Sequence, residues 1–204
     1  SVTCAAEDVE ITAKITEYQT LKDSCVPLNI NEVTHIFYHS LIVDPSRGFA
    51  GTDSLTAGFK QWMTTVDEFN RITQAMYDNG YVLVRLRDLV VETKDADGTV
   101  HFVPNPDLRL PAGKKAFVLS LDDLSYYHSY DGRGMASKMV LDANGEPTCE
   151  YMQADGTVVT GAYDCVPLLD QFIAQHPDAS YKGAKGTIAL TGYNGIFSCW
   201  ENCE

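Results

Sequence analysis

The chain has 204 residues, with 28 Asp and Glu against 15 Lys and Arg, giving a formal net charge of −13. Hydrophobic residues make up 45% and charged residues 21%, the balance of a folded chain rather than a disordered one. The acidity argues against nucleic acid and anionic membranes, which need clustered Lys and Arg, and no apolar run approaches the roughly 20 residues that span a bilayer.

Along the chain, Glu7 to Glu17 reads as a short helix with a thin apolar face. Val33 to Val43 is rich in β-branched and aromatic residues and ends at Asp44-Pro45, as a buried strand running into a loop does. Asp44 to Gly58 holds Pro, Ser, Asp and three Gly, and reads as a long loop. Thr65-Val-Asp-Glu68 fits a capping box. Val66, Phe69, Ile72 and Met76 then recur at helical spacing, and Asn79-Gly80 supplies a stop. Tyr81 to Leu86 reads as a strand, and Arg87 to Val91 as a helical turn.

Asp95 to Gly98 is a turn, Thr99 to Val103 a short strand, and Pro104 to Lys115 a punctuated loop. Ala116 to Leu121 is a continuous apolar strand that stops at Asp122-Asp123. Turn signals at Asp142 to Gly145 and Gln153 to Gly156 divide a meander with strands at Ser137 to Leu141, Cys149 to Met152 and Thr157 to Thr160. Val166 to Gln175 reads as a helix with Pro167 in its first turn. Lys185 to Thr191 is a last strand, followed by a turn at Gly192 to Gly195. Apolar strands alternating with amphipathic helices predict an α/β layer with a mostly parallel sheet. Residues 1–32 read as an amino-terminal extension and 33–204 as one domain, with an insertion at about 131–163.

The six Cys lie at 4, 25, 149, 165, 199 and 203, with no Cys-x-x-Cys and no zinc spacing. They suit the disulfides of a secreted or cell-surface protein, free buried thiols being the alternative. Nearness in sequence favours Cys4–Cys25, Cys149–Cys165 and Cys199–Cys203. A first residue of Ser rather than Met reads as a processed start.

In α/β sheets, functional residues gather at the carboxyl ends of strands. Asp122-Asp123 is the leading candidate: one carboxylate to bind a metal, the other to take a proton from water. A helix cap or a turn is the structural alternative for the same pair. His35 and His39 are four residues apart on one strand face. They are a conceivable metal pair, although a polar residue inside such a strand is more often core or substrate wall. His128 follows Asp123 by five residues, and Tyr126, Tyr127 and Tyr130 cluster there. Asp95 to Gly98 and Asp142 to Glu146 lack the full spacing of calcium loops and read as turns. No nucleophile elbow, phosphate loop or dinucleotide fingerprint is present.

These stretches carry a resemblance. Thr34-His-Ile-Phe-Tyr-His-Ser-Leu41 looks like the opening strand of polysaccharide deacetylases of the NodB-homology type. Phe69 to Val91 is similar to their next unit. Ala116-Phe-Val-Leu-Ser-Leu-Asp-Asp123 is similar to their Thr-Phe-Asp-Asp-Gly motif, with Leu124 where that motif has Gly. The resemblance covers about residues 33–197, the amino-terminal part of such an enzyme.

It implies a partial or distorted β/α barrel with a small antiparallel insertion. It implies a metal-dependent hydrolase that removes acetyl groups from N- or O-acetylated polysaccharide or peptidoglycan. Asp122 would match the catalytic base and Asp123 the ligand of a divalent metal, commonly zinc. His39 would sit near the site on the first strand. Read from their own positions, Tyr126 and His128 are candidates to meet the substrate, a hydrophobic core and a solvated loop being the alternatives. The family's later paired His are absent, since the chain has only His35, His39, His101, His128 and His176. Two alternatives therefore stand beside the enzyme: a non-catalytic carbohydrate-binding or structural module, and an inactive fragment of a longer deacetylase. A chain ending there predicts an exposed sheet edge near Lys185 to Thr191, open to self-association.

Overall fold

The computed structural model describes residues 2–191, with side chains from Asp8 onward. In chain order the elements are α1 (Val2–Ser24), β1 (Cys25–Pro27), β2 (Thr34–Tyr38), α2 (Pro45–Gly48), α3 (Ser54–Trp62), α4 (Val66–Asp78) and β3 (Tyr81–Leu83). They continue with β4 (Val90–Lys94), β5 (Val100–Pro104), β6 (Arg109–Pro111), β7 (Lys115–Leu121), β8 (Ala136–Leu141), β9 (Pro147–Met152), β10 (Val158–Gly161), α5 (Cys165–Gln175) and β11 (Thr187–Ile188).

β7 is the axis of the fold. Its apolar run is buried on both faces, as a central parallel strand requires. It pairs in parallel with β2 from Phe117 to Leu121. On its other side β3 pairs with Lys115 to Phe117 and β11 with Ser120 and Leu121. One face of this sheet presents Tyr38, Phe117, Leu119 and Leu121 to Phe69 of α4, Leu169 of α5 and Cys149 of β9. The opposite face packs Val82, Ala116 and Val118 against Leu89, Leu108 and Leu110. Toward the carboxyl end that second cover stops, and Phe37 is left 53% exposed.

The expected barrel is corrected by this arrangement. Among the described residues, none of the small sheets closes. β3 and β11 share one side of β7, and α4 and α5 both pack on the same face of the sheet. A β/α barrel instead needs helices ringing the outside and strands filling the inside. The chain is mixed α/β with an open, four-stranded parallel sheet. The expected meander forms as the antiparallel sheet β8-β9-β10. The last strand is shorter than expected, and β11 contributes an edge through two residues. No helix among the described residues is long and apolar enough to cross a membrane.

The region expected to be a long loop folds into α2 and α3, capped by the side chains of Asp44 and Asp53. The expected short helix is the 23-residue α1. Its residues Val9, Ile11, Ile15, Tyr18 and Leu21 are exposed. Of the helical turn expected at Arg87 to Val91, a 3-10 turn forms over Leu86–Asp88, whereas the chain from Val90 pairs β4 with β5.

α4 begins as its sequence predicts. Thr65 Oγ1 accepts from Glu68 N at 3.2 Å, and Glu68 Oε2 accepts from Thr65 N at 2.9 Å. Removing the capping hydroxyl in Thr65→Ala is expected to cost about 1 kcal/mol in denaturant unfolding, with the slope unchanged.

The disulfide expectation is also corrected. Cys25, Cys149 and Cys165 are free thiols. Cys149 and Cys165 are buried in the core, where desolvation pushes both thiols up, Cys149 to about 12. Such thiols are poor nucleophiles for disulfide exchange. The Cys4 side chain, the Cys199–Cys203 pair and the Gly192 to Gly195 turn lie outside the described residues.

Candidate functional site

The carboxyl ends of β2 and β7 lie side by side, and a cleft of about 170 Å³ opens there. It is lined by His39, Ser40, Trp62, Met63, Asp123, Tyr127 and Tyr130.

Backbone contacts explain how the two chain ends reach it. Asp122 N donates to Tyr38 O at 2.8 Å, which extends the β2–β7 ladder by one step. The chain then turns sharply, with Asp123 at φ 54° and Ser125 N donating to Asp123 O at 2.7 Å. Asp is among the few residues that tolerate this left-handed conformation. The turn brings the Asp123 carboxylate to His39, with Oδ2 3.9 Å from Nδ1.

His39 is held from behind. Leu41 N donates to Asp164 Oδ1 at 3.1 Å, and Ile42 N donates to Thr64 O at 2.9 Å. Leu41 and Ile42 are fully buried, so the segment after His39 is fixed in the core. The imidazole meets the Phe37 ring edge-on, with centroids 6.2 Å apart.

Aromatic groups form the remaining wall. Tyr130 packs edge-on against Phe59 at 5.0 Å and Tyr127 at 5.3 Å. Burial raises the Tyr130 phenol, helped by Tyr127 and by the negative charge of Asp123. Tyr127 also shares a hydrogen bond with Thr191 Oγ1 at 3.2 Å. Trp62, the last residue of α3, is 60% exposed, an unusual state for so large an apolar ring.

Of the residues singled out in the sequence, His39 and Asp123 are brought together here. Asp122 is half-buried and does not line the cleft. Tyr126 is 2% exposed, inside the core beside Asp164 and Cys149, and its phenol is raised well above normal by burial. A ring so enclosed cannot touch substrate. His128 is exposed, with Nδ1 3.1 Å from Asp131 Oδ2.

Sequence reasoning missed Trp62, Ser40 and Met63. It also missed that His35 Nε2 lies 3.0 Å from Ser120 Oγ on the open sheet face. Leu55, Phe59 and Trp62 do recur at helical spacing after Asp53, a signal that could have found α3 and its exposed tryptophan.

The resemblance implies a zinc ion on Asp123. Among the described residues, no group of three or more His, Cys, Asp or Glu is placed to hold a metal. His39 and Asp123 offer two donors where structural and catalytic zinc sites use at least three protein ligands. The residues present do not fit a resident metal, which corrects the expectation of a metal centre.

In comparisons with known proteins, no protein-family model, no curated protein and no solved structure matches the chain.

Proposed function

We propose that this cleft binds acetylated polysaccharide and that the protein is a deacetylase-like hydrolase acting on its acetyl groups. The observation that carries the reading is the His39–Asp123 pair at the ends of adjacent parallel strands, inside an aromatic-walled cleft. Sugar rings present apolar faces and polar edges, which suits Trp62, Tyr127 and Tyr130 around a polar centre. The resemblance to polysaccharide deacetylases supports the same substrate class.

The chemistry follows from these side chains. The His39 imidazole takes a proton from a water molecule as that water attacks the acetyl carbonyl. Asp123, 3.9 Å away, orients the ring and stabilises the imidazolium through its charge. The carbonyl carbon then parts from the sugar nitrogen or oxygen. That atom leaves with the imidazolium proton, and acetate is released. A polysaccharide or peptidoglycan substrate places the protein outside the cell or at its surface.

A second reading, a non-catalytic glycan-binding module, draws on the open position of Trp62. Acetate release from N-acetylglucosamine oligomers separates the two. Release that depends on His39 supports the hydrolase, whereas binding without release leaves only the module. In either case Trp62→Ala is expected to weaken oligomer binding about tenfold in calorimetry, through loss of the stacking surface.

A further inference from the structure

We infer that the glycan is acidic, and that a cleft formed by Arg85, Arg87 and Lys185 takes its carboxylate. The acetyl group at His39 and Asp123 is assigned by the reading above, whereas the anion site stands on its own observations.

A second opening of about 450 Å³ is lined by Arg85, Leu86, Arg87, Lys185, Gly186 and Thr187. Three cations gather there in a chain whose net charge is −13. Two of them are anchored. Arg85 Nη2 donates to the carbonyls of Lys182 and Gly183 at 3.3 Å, and its Nη1 is 3.7 Å from Asp88 Oδ2. Lys185 pairs with Asp170.

Arg87 differs. It is exposed and makes no hydrogen bond or ion pair with any other described residue. Acidic side chains outnumber basic ones 28 to 15 in the chain, yet none among the described residues neutralises this guanidinium. An anion seated beside Arg87 would pair its guanidinium, with the compensated Arg85 and Lys185 close by. The planar fork of Arg matches a carboxylate through two parallel N–H bonds.

Position links this cleft to the acetyl site. Arg85 follows the carboxyl end of β3, and Lys185 leads into β11, so both flank β7 on the side away from β2. Two strand spacings, about 10 Å, separate that side from β2, and the register sets the cations about four residues, about 13 Å, back along β7 from the cleft. Thr187 pairs with Ser120 across the sheet, on the face left open beside Phe37. An acidic sugar further along the same chain can therefore reach the cations while the acetylated unit occupies the aromatic cleft.

The test uses calorimetry on the whole chain with three probes: oligogalacturonate, hyaluronan oligomers and N-acetylglucosamine oligomers. Oligogalacturonate is acidic without acetyl groups, and is expected to bind wild type with an affinity that falls as salt rises. Arg87→Gln is expected to weaken it at least about tenfold, and Asp123→Asn to leave it unchanged. Hyaluronan oligomers, acidic and acetylated, are expected to bind more tightly than either of the others. If oligogalacturonate fails to bind, or binds Arg87→Gln as well as wild type, the anion site is overturned whatever the acetylated oligomers do. If it binds as expected while N-acetylglucosamine oligomers do not, the anion site stands and the deacetylase reading fails. Binding of inorganic phosphate without binding of oligogalacturonate would replace the carboxylate with a phosphate-bearing ligand and overturn the assignment.

Discussion

Asp123→Asn is expected to lower acetate release by about 100-fold or more while leaving oligomer binding close to wild type. The expected loss follows from removing the charge that orients and stabilises the His39 imidazolium. The variant is informative because Asn also tolerates the left-handed backbone at this position. Asp123 is exposed, so folding does not depend on its burial. Wild-type release by Asp123→Asn, with oligomer binding intact, would remove Asp123 from the chemistry.

The second large effect is on stability and centres on Asp164. This residue is fully buried between Leu41 N and Cys165 N, both of which donate to Oδ1. Oδ2 has no hydrogen-bond partner of good geometry among the described residues. Desolvation raises the carboxyl to about 6, against acidifying hydrogen bonds from the backbone and from Tyr126.

The sign is opposite to that of an ordinary carboxylate. The folded protein holds the proton more tightly than the unfolded chain, whose carboxyl titrates near 3.8. The stabilising contribution is therefore complete below about pH 4 and is lost as the pH rises through about 6. The rise from 3.8 to about 6 corresponds to about 3 kcal/mol.

Asp164→Asn keeps an acceptor for both N–H groups and carries no charge. Relative to wild type, it is expected to gain about 3 kcal/mol between pH 4 and pH 7 in urea unfolding. A constant difference across that range would show that Asp164 is ionised in the fold at no cost. The same measurement must be read against wild type. Asp44, Asp53 and Glu68 are held below the usual carboxylate range by their hydrogen bonds, and their contribution moves the other way, falling away in acid.

Much of this architecture can be read locally. Thr65 and Glu68 announce the start of α4, and Asn79-Gly80 its end, because capping depends on groups three residues apart. The unbroken apolar run of β7 announces a strand buried on both sides. The meander is legible because Asp142 to Gly145 and Gln153 to Gly156 are turns whose chemistry is self-contained. Glycines disguise α3: Gly51 and Gly58 suggest a loop, and the helix is stabilised by burying Phe59 against Ile42 and Met135. That information is tertiary.

The site divides in the same way. Asp122-Asp123 at a strand end is visible in the sequence, but which carboxylate faces the cleft depends on a turn with positive φ at Asp123. Tyr126 and Tyr127 look equivalent on the page. The positive φ of Tyr126 accompanies a ring turned into the core, while Tyr127 stays at the cleft. The distance between His39 and Asp123 needs the β2–β7 register, which joins segments about 80 residues apart in the chain. Family resemblance suggested a barrel and a metal centre. The placement of β3 and β11 on one side of β7, and a two-donor site, do not fit them.

The most direct test is a residue-resolved binding map by nuclear magnetic resonance, titrating the labelled protein with N-acetylglucosamine hexamer. Shift changes are expected to centre on the Trp62 indole and on the amides of His39, Ser40, Asp123, Tyr127 and Tyr130. Saturation with no change at those positions, or with changes confined elsewhere on the molecule, would contradict the assignment of this cleft to acetylated glycan.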